Sequence, residues 1–471
     1  TDIHGQIDSS NERNGGWLKL ASIITSEMEK AGGRDKCLLI DCGDTVQGSP
    51  EASFSQGEAC IEMLNIMKYD AWVPGNHDLD YGFNRFTEIL SKIKADKLAA
   101  NLSFKENNFN FLKWKTYFKG NAKIALIGMS ISYSESETDD NRFYQGVEVS
   151  LDKIIPEIMQ TRPDFIALAI HYGKTYKTSE FSLNLDSLMM KYPQINLILG
   201  GHTHVKNPGE KIGFASWFVQ PGSHAECLAK SEIEITQGKL PIINSELVFA
   251  DSTTKEDSLC LSAVEKWLIP VQEFKNTIFG KALNPIMPPK NKELNSGISE
   301  ILGMAISEIA ETDYVLHGCI VSDAEFNEDI RGKDIFNVAP YEDTICLLKV
   351  SVNDLRDIIK EQLNLKDLSK FQSPYGIRVI VSGNKPYNIE LFNENGIPFD
   401  ENSTINLALS SYAVSGAGGR FPALKEISVR TSSKISYTKI KIRDALHKFI
   451  IKNTPLKIAP EERIIFVNNK K

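Results

Sequence analysis

The sequence lacks three features that would each point to a particular class of protein. No apolar stretch approaches the roughly 20 residues of a membrane-spanning helix, so no transmembrane span is expected. The seven cysteines are odd in number and include no C-x-x-C pair, which argues against a disulfide framework and a zinc knuckle. The formal net charge is -8, whereas a protein that binds a nucleic acid polymer usually has a basic face. A small anionic substrate is still compatible with this charge, because local cations outweigh a diffuse negative surface.

What is present is the composition of a globular protein too long for one core. The chain has 471 residues, 42% of them hydrophobic and 24% charged, so at least two domains are expected. Short apolar strands alternate with amphipathic helical patterns in the first half, which predicts an α/β or α+β domain. The polar segment "ADSTTKEDSL" marks a boundary, and Pro270 is expected to kink or split the helix that follows. The predicted organisation is a domain over 1–250, a helical linker over 251–285 and a second α/β unit over 286–471.

Side chains that bind metals follow the apolar runs of the first half. Five of the eight histidines lie in these segments, and a random scatter would not place them all directly after strands. Because the carboxyl ends of parallel strands meet at one edge of an open sheet, we expect these side chains to converge. Asp2 and His4 are two residues apart, so an extended chain would direct both to one face. The candidate ligands are Asp2, His4, Asp44, Asn76, His171, His202 and His204.

These side chains exceed what one metal ion needs. Oxygen and imidazole ligands without a thiolate suit borderline divalent ions such as Mn²⁺, Zn²⁺ or Fe²⁺. Two carboxylates, one amide and four imidazoles are more than a four-coordinate zinc site uses, so two ions that share a carboxylate fit better. Asp44 is the natural bridge, because an anion between two cations offsets their repulsion. Each segment alone is compatible with a structural role, such as a core histidine at His171, whereas the ordered set favours a metal site.

The order of these motifs resembles that of a known family. The chain reads D-x-H, G-D, G-N-H-D, H-x-G and G-H-x-H, which resembles the calcineurin-like metallophosphoesterases. The segments "DCGDTVQGSP", "YDAWVPGNHDLDYG" and "AANLSF" are similar to the 5'-nucleotidase branch, which includes UDP-sugar hydrolases and 2',3'-cyclic phosphodiesterases. In the second half, "DIFNVAPYEDTICLLKV", "LALSSYAVSGAGGRF" and "IRDALHKFIIKNTPLKIAPEERI" resemble the substrate domain of that branch. The resemblance covers essentially the whole chain and is more specific in the first half.

The resemblance implies a fold, a metal site and a mechanism. It implies a four-layer α/β/β/α metallophosphoesterase domain, then the linker, then a smaller α+β substrate domain of 5'-nucleotidase type. It also implies that His77 is the catalytic histidine, that Asp80 orients it and that Asp78 has a supporting role. A water activated by the metal ions would attack the phosphate ester while His77 assists the leaving oxygen. The implied ligands are Asp2, His4, Asp44 and His204 for one ion, and Asp44, Asn76, His171 and His202 for the other.

The second half departs from the family at the positions that recognise the substrate. Tyr341 and Tyr412 stand where related enzymes clamp a nucleobase between two rings, although a packing role is equally compatible with tyrosine there. Three residues by which the family contacts its substrate are replaced here. His317 stands in place of the asparagine that contacts the base, Ser322 in place of the arginine that faces phosphate, and Gly418 in place of the acidic residue that binds ribose. Losing a bidentate arginine and a carboxylate weakens the preference for a nucleotide. Arg378 and Arg420 are basic residues nearby in sequence, and either would compensate by binding the substrate, although a surface or structural role is favoured for each.

The leading expectation is a metal-dependent hydrolase of ester bonds, a 5'-nucleotidase-like phosphatase acting on a small-molecule phosphoester, with a nucleotide as the first candidate. Its cofactors would be two divalent ions, with zinc or manganese ahead of iron. One alternative is a phosphodiesterase or another phospho- or sulfo-ester hydrolase with a non-nucleotide substrate. A second alternative is a surface binding protein that keeps the fold without catalysis, and the complete ligand set with His77 and Asp80 argues against it.

The start of the sequence bears on its location. The chain begins at "TDIHG", which reads as the end of a strand without the strand itself. We therefore expect sequence upstream of Thr1, and any targeting signal would lie there. Because the family that the chain resembles is usually exported, we expect a periplasmic, extracellular or cell-surface protein.

Overall fold

The computed structural model describes residues 1–8, 15–104, 109–131, 142–174, 183–290, 293–367, 370–417, 420–430 and 433–467. The chain divides into two compact units, Thr1–Val271 and Gln272–Lys471. This division falls inside the predicted linker, residues 251–285, and the predicted limits of that linker stay predictions. Both units contain helices and sheets, so the predicted mixed α/β class is confirmed.

The first unit alternates helices with short strands, as the periodicity of its sequence predicts. Its helices are α1 Trp17–Lys30, α2 Pro50–Ser55, α3 Glu58–Ile66, α4 Phe83–Lys92, α5 Val147–Gln160, α6 Leu185–Lys191 and α7 Ser258–Asn276, the last of which extends into the second unit. Its strands are β1 Ile40–Asp41, β2 Ala71–Trp72, β3 Asp96–Lys97, β4 Leu102–Phe104, β5 Trp114–Lys119, β6 Ala122–Met129, β7 Arg142–Tyr144, β8 Phe165–Ile170, β9 Leu197–Leu199, β10 Lys206–Ile212, β11 Ser216–Pro221, β12 Cys227–Glu234 and β13 Ile242–Phe249. Short 3₁₀ turns span Arg34–Lys36 and His77–Leu79.

The strands of the first unit form two main sheets. Strands β1, β2 and β3 are parallel in one of them. The other has the order β10-β11-β9-β8-β6-β5, and its central strands β6, β8, β9 and β11 are parallel. All six residues of β8, FIALAI, are buried, which is typical of a parallel strand covered on both faces. Two antiparallel pairs, β12 with β13 and β4 with β7, accompany these sheets.

Alternate residues of the strands divide between separate cores, and this division defines the layers. In β2, Trp72 belongs to the core with α1, α3 and α4, whereas Ala71 belongs to the core between the two sheets. In β8, Leu168 packs with α5 and α6, whereas Ala167 belongs to the core between the sheets. Burial of one large apolar side chain contributes about 1.5–3 kcal/mol, so each core contributes substantially to stability. The unit therefore has four layers, α/β/β/α, and this prediction is confirmed.

Helix α7 continues through Pro270, so the predicted split does not occur. A proline inside a helix removes one backbone hydrogen bond, but the packing of neighbouring residues holds the chain in place. Cys260 and Val264 of α7 are buried in the core with α1, α3 and α4. Among the described residues, none of the helices has the length and hydropathy that a transmembrane span requires.

The second unit is smaller and combines two sheets with helices. Its helices are α8 Gly297–Ala310, α9 Gly332–Val338, α10 Val352–Leu363, α11 Ser411–Val414, α12 Pro422–Ser428 and α13 Ile442–Asn453. Its strands are β14 Ile278–Lys281, β15 Tyr314–Leu316, β16 Asp329–Arg331, β17 Thr344–Ser351, β18 Pro374–Tyr375, β19 Ile377–Ser382, β20 Asn388–Asn393, β21 Thr404–Ser410, β22 Ile435–Lys441 and β23 Ile464–Val467. One sheet has the order β18-β15-β21-β17-β22 and the other β20-β19-β23, while β14 pairs with β16. The predicted α+β character of this unit is confirmed.

Candidate metal centre and active site

The candidate ligands lie where strands of the first unit end. His171 directly follows β8, while Asp44 and His202 each follow the end of a strand, β1 and β9, by three residues. Because β1 is parallel to β2, and β8 is parallel to β9, the loops after these strands leave each sheet at the same edge. Contacts join side chains as far apart in sequence as His4 and His204. The structure therefore brings together side chains from the separate segments.

The backbone at most of these residues is left-handed. The angle φ lies between 50° and 71° at Asp2, His4, Asp44, His202 and His204. The prediction that Asp2 and His4 share one face of an extended chain is therefore wrong. A turn brings them together instead, in which the N–H of Asp2 donates to Gly43 at 2.8 Å and the N–H of His4 donates to Asp44 at 2.9 Å. A left-handed conformation costs a non-glycine residue about 1–2 kcal/mol, and strain of this kind concentrates at functional sites.

Asp2, His4 and His204 form one cluster of donor atoms, here named the first donor group. The Nε2 atoms of His4 and His204 lie 3.0 Å apart, and Nε2 of His204 lies 3.5 Å from Oδ1 of Asp2. Nδ1 of His4 is 3.2 Å from the backbone oxygen of Gln47, which only accepts, so the ring carries its proton on Nδ1 and its lone pair on Nε2. Asp2 is fully buried whereas His204 is 38% exposed, so solvent reaches the group from the side of His204.

Asp44, His171 and His202 form the second donor group. Oδ2 of Asp44 lies 3.1 Å from Nε2 of His171 and 3.8 Å from Nε2 of His4. One carboxylate thus adjoins both groups, which is the position that a bridging ligand would take. Nδ1 of His171 donates to the backbone oxygen of Cys42 at 2.6 Å, and this bond orients the ring so that Nε2 is the atom that would bind a metal ion.

The donor set fits divalent metal ions. Oδ1 of Asn76 is buried and has no hydrogen-bond partner among the described residues, although a buried amide oxygen normally has one. Burial lowers the pKa of His4 well below its usual value, and burial followed by the nearby His171 lowers the pKa of His202 to about 3. His4 and His202 are therefore neutral at pH 7, which is the form of imidazole that binds a metal ion.

Two glycines let the ligand-bearing loops approach each other closely. A Cβ atom on Gly75 would lie 2.3 Å from Oδ1 of Asp44 and 2.8 Å from Cε1 of His171. A Cβ atom on Gly43, where φ is +95°, would lie 2.3 Å from the backbone nitrogen of Gly75. Gly75 therefore leaves space for the side chains of Asp44 and His171, and Gly43 leaves space for the backbone of the loop that carries Gly75.

His77 and Asp80 form a pair beside the donor groups. Nδ1 of His77 lies 2.8 Å from Oδ2 of Asp80, and both side chains are about one quarter exposed. The backbone N–H of His77 donates to Oδ1 of Asp44 at 2.8 Å, and its ring centroid lies 5.5 Å from that of His4. The carboxylate holds the proton on Nδ1, so proton exchange with a substrate would occur at Nε2. This is the geometry that a general acid oriented by a carboxylate requires.

Asp78 is fully buried and ties the two ligand loops together. Its carboxylate accepts hydrogen bonds of 2.8–3.0 Å from the backbone N–H groups of Asp44, Thr45, Val46 and Gly75. Burial, and then the charge of Asp44, raise the pKa of Asp78 to about 7, while the N–H donors oppose that rise. Asp78 thus has the supporting role expected of it, because its four hydrogen bonds to the backbone join the two ligand loops.

We expect Asp78→Ala to lower the free energy of unfolding of the metal-free protein by about 3 kcal/mol. The reason is that four buried N–H groups lose their acceptor, and each buried unsatisfied group costs about 1–3 kcal/mol. Water that enters the space left by the side chain would bond to some of these groups and offset part of the cost. Urea denaturation followed by circular dichroism measures this change. Asp152→Ala, which removes a carboxylate that is 55% exposed, is the matched control and should leave stability close to that of the unchanged protein. Equal stability of the two variants would contradict the assigned role.

Comparison with known proteins identifies the family. Residues 1–206 match the profile of the calcineurin-like phosphoesterases, and residues 280–426 match that of the 5'-nucleotidase C-terminal domain. Together the two matches span well over half of the chain. The chain belongs to this phosphoesterase family. The resemblance of its motifs is thereby confirmed, and the protein is a hydrolase that acts on phosphoester bonds.

Its relatives are distant but most of them match along the whole chain. It is 21% identical to a 5'-nucleotidase of Vibrio vulnificus (strain CMCP6), with 99% of this chain and 92% of that protein covered. It is also 21% identical to Endonuclease YhcR of Bacillus subtilis (strain 168), with 77% of this chain covered but only 32% of that longer protein. The solved structure of a 5'-nucleotidase precursor from Thermus thermophilus matches with a TM-score of 0.72 at 17% identity, covering 97% of this chain and 94% of that one. This structural likeness shows a shared fold.

In the second unit of this phosphoesterase, the two predicted substrate tyrosines lie beside neighbouring strand ends. Tyr341 lies three residues before β17 and Tyr412 lies in α11 directly after β21, and the two strands are antiparallel neighbours. Tyr412 is 37% exposed, and its hydroxyl accepts a hydrogen bond of 2.9 Å from Arg420. The guanidinium carbon of Arg420 also lies 5.5 Å from the ring centroid. Both rings are therefore placed at one end of the five-stranded sheet.

A buried arginine fixes the loop that carries Tyr341. Arg443 donates to the backbone oxygens of Ala339 and Tyr341 at 3.1 Å and 3.0 Å, and it pairs with Oε1 of Glu342 at 2.5 Å. Its guanidinium carbon lies 3.9 Å from the ring centroid of Phe336. The sequence gives no sign of this network, because its members come from α9, the following loop and α13.

The other predicted substrate residue, Arg378, lies in a different sheet from the one whose strand ends adjoin the tyrosines. It is an exposed residue of β19, in the three-stranded sheet. His317 is only 2% exposed, burial lowers its pKa to about 4, and its Nδ1 atom has no partner within the described part of the chain. Ser322 is exposed, and Gly418 lies outside the described residues. The assignment of Arg378 to the substrate stays a prediction.

His224 lies near the donor groups and was not among the residues predicted from the sequence. It follows the end of β11 by three residues, and its ring centroid lies 5.5 Å from that of His4 and 5.8 Å from that of His204. Its backbone N–H donates to the oxygen of Asp2 at 2.7 Å. The signal that could have found it is the one used for the ligands, a histidine after a glycine turn that follows an apolar strand.

Proposed function

We propose that this phosphoesterase is a dinuclear metal-dependent phosphatase of 5'-nucleotidase type. The observation that carries the proposal is the carboxylate of Asp44, which lies 3.1 Å from Nε2 of His171 and 3.8 Å from Nε2 of His4. An anion placed between two donor groups offsets the repulsion of two cations, which a site for one ion does not need. Zinc or manganese suits these ligands, and iron is also compatible. The ions would be held by Asp2, His4, Asp44 and His204, and by Asp44, Asn76, His171 and His202.

In the proposed reaction, water attacks the phosphorus and the bond to the ester oxygen breaks. The ions, when bound, supply a lowered pKa for the attacking water and positive charge for the phosphoryl group. His77 donates a proton from Nε2 to the departing oxygen, so the leaving group departs as an alcohol. Asp80 holds the ring of His77 through Nδ1, at 2.8 Å, and stabilises its protonated form.

A nucleotide is the substrate that the tyrosines support. A flat base stacks well on tyrosine, and two such residues, Tyr341 and Tyr412, lie beside neighbouring strand ends of the second unit. Arg378 is proposed as a further contact to the substrate. The relative from Vibrio vulnificus, which matches along the whole chain, is named a 5'-nucleotidase.

A second candidate is a phosphodiesterase or another phospho- or sulfo-ester hydrolase whose substrate is not a nucleotide. The observation that favours it is the exposed Ser322, at the position where the resemblance implies an arginine that faces phosphate. A hydroxyl cannot replace the paired N–H donors of a guanidinium. The hydrolytic residues of the first unit would serve either substrate class.

A substrate screen of the metal-loaded protein separates these candidates. The panel holds 5'-AMP, 2',3'-cyclic AMP, UDP-glucose, bis(p-nitrophenyl) phosphate, p-nitrophenyl sulfate and single-stranded DNA, the last because one relative is named an endonuclease. We expect 5'-AMP to give the highest kcat/KM and DNA to be left intact, and chelated protein is the control. Negligible turnover of 5'-AMP with rapid cleavage of the diester would replace the nucleotidase proposal with the second candidate. No turnover of any ester would favour a binding protein.

We also propose that the protein acts outside the cytoplasm, in the periplasm or at the cell surface, in the breakdown of nucleotides. The support for this location is the family resemblance. Fractionation of cells that produce the full-length protein, with phosphatase activity assayed in each fraction, tests it. Activity confined to the cytoplasmic fraction would contradict it.

A further inference from the structure

The proposed reaction leaves the imidazole of His224 without a role, although this ring lies against the first donor group. Its centroid is 5.5 Å from that of His4 and 5.8 Å from that of His204, compared with 4.9 Å between His4 and His204 themselves. His224 is not one of the three residues whose donor atoms all lie within 4.8 Å of one another. His224 therefore adjoins the first donor group without being one of its members.

The backbone of His224 is fixed to the site. Its N–H donates to the oxygen of Asp2 at 2.7 Å, so a member of the first donor group positions it directly. Both His224, with φ of 57°, and Ala225, with φ of 54°, are left-handed, the conformation shared by most of the candidate ligands. A non-glycine residue adopts it only where the surrounding structure enforces it, and such strain concentrates at functional sites.

The ring of His224 is also oriented. Oγ of Ser223 lies 2.8 Å from Nδ1 of His224. When this hydroxyl donates to Nδ1, the neutral ring carries its proton on Nε2 and becomes a hydrogen-bond donor there. His224 is half-buried and adjoins His204, whose 38% exposure marks the side from which a soluble ester would reach the group.

We propose that His224 is a substrate-contacting residue, whose Nε2–H donates a hydrogen bond to a phosphoryl oxygen of the ester at the first donor group. This inference rests on the proposed function, since it needs a phosphoryl group at the metal centre. The contact holds the phosphoryl group while His77 acts on the leaving oxygen, so the two imidazoles have different partners. A hydrogen bond from a neutral donor to a charged oxygen changes affinity by about tenfold or more.

The test measures binding of inorganic phosphate to the full chain loaded with Mn²⁺, by isothermal titration calorimetry, with metal content determined separately. We expect His224→Ala to raise the Kd for phosphate about tenfold and to retain the same number of ions as the unchanged protein. Ser223→Ala should raise the Kd by a smaller factor, because the ring remains but loses its anchor. His447→Ala, which removes an imidazole of the second unit, is the matched control and should bind phosphate normally.

Each other outcome counts against the inference. An unchanged Kd in His224→Ala would show that no contact exists, and loss of an ion would show that His224 is a metal ligand instead. His224→Asn provides the same comparison if the alanine variant fails to fold, since asparagine tolerates a left-handed backbone and cannot reach as far. Absence of phosphate binding in the unchanged protein would also overturn it. The calorimetry measures binding of phosphate and does not depend on turnover. If the protein hydrolyses no ester but His224→Ala still raises the Kd for phosphate about tenfold, the proposed function is refuted and the inference about His224 stands.

Discussion

Replacing Asp44 with asparagine should weaken the binding of both metal ions and lower kcat/KM for phosphoester hydrolysis by at least about 10³-fold. The carboxylate adjoins both donor groups, and an amide offers one neutral oxygen in place of a shared anion. Burial alone would raise the pKa of Asp44, but the nearby His171 and His77 hold it well below its usual range, so it is an anion at neutral pH. Metal ions contribute several kcal/mol to the stabilisation of such a transition state, and each 1.36 kcal/mol is a factor of ten in rate.

The measurement combines metal analysis after gel filtration with steady-state kinetics on the most active substrate. Asp152→Asn is the matched control, since it makes the same chemical change at a carboxylate that is 55% exposed. Circular dichroism confirms that each variant is folded. An Asp44→Asn protein that keeps two ions and hydrolyses at the unchanged rate would show that the carboxylate is not a shared ligand.

His77→Ala should lower turnover of a nucleoside monophosphate by about 10²-fold or more while leaving the metal content unchanged. The ring carries its proton on Nδ1 beside Asp80, and the backbone N–H of His77 donates to the candidate ligand Asp44. A general acid matters most when the leaving oxygen is a poor leaving group. The loss should therefore be much smaller for p-nitrophenyl phosphate, whose leaving group is stable as an anion.

Two further variants sharpen this test. Asp80→Asn should produce a smaller loss than His77→Ala, with the same dependence on the leaving group, because the ring remains but is no longer oriented by a charge. His447→Ala should leave turnover of both substrates unchanged. An equal loss for the nucleotide and the nitrophenyl ester, or loss of an ion from His77→Ala, would argue against the assignment of His77 as the acid.

Local patterns explain which parts of the fold could be predicted. The segment FIALAI is apolar throughout because both faces of β8 are covered, and that feature is visible in the sequence itself. Helix α10 begins at Val352 because Ser351 and Asp354 form a capping box, a local pattern that the sequence itself shows. Most of the candidate ligands could be found in the same way, since Asp44, Asn76, His171, His202 and His204 follow strands and several stand beside a glycine.

The remaining features depend on contacts between distant segments. The turn at Asp2 and His4 is set by hydrogen bonds to the loop after β1, which an isolated "TDIHG" does not reveal. Pro270 indicates a break in a free helix, but α7 is held by side chains buried in the first core. His224 was missed because its proximity to His4 and His204 arises only when the loops after β9 and β11 meet.

The number of metal ions per chain tests the central claim most directly. Protein stripped with a chelator, then titrated with Mn²⁺ or Zn²⁺ and examined by native mass spectrometry, should bind two ions at saturation. His171→Ala should lower this number to one, because His171 belongs to the second donor group alone. Saturation of the unchanged protein at a single ion, or no specific binding, would contradict the account of two donor groups joined by Asp44.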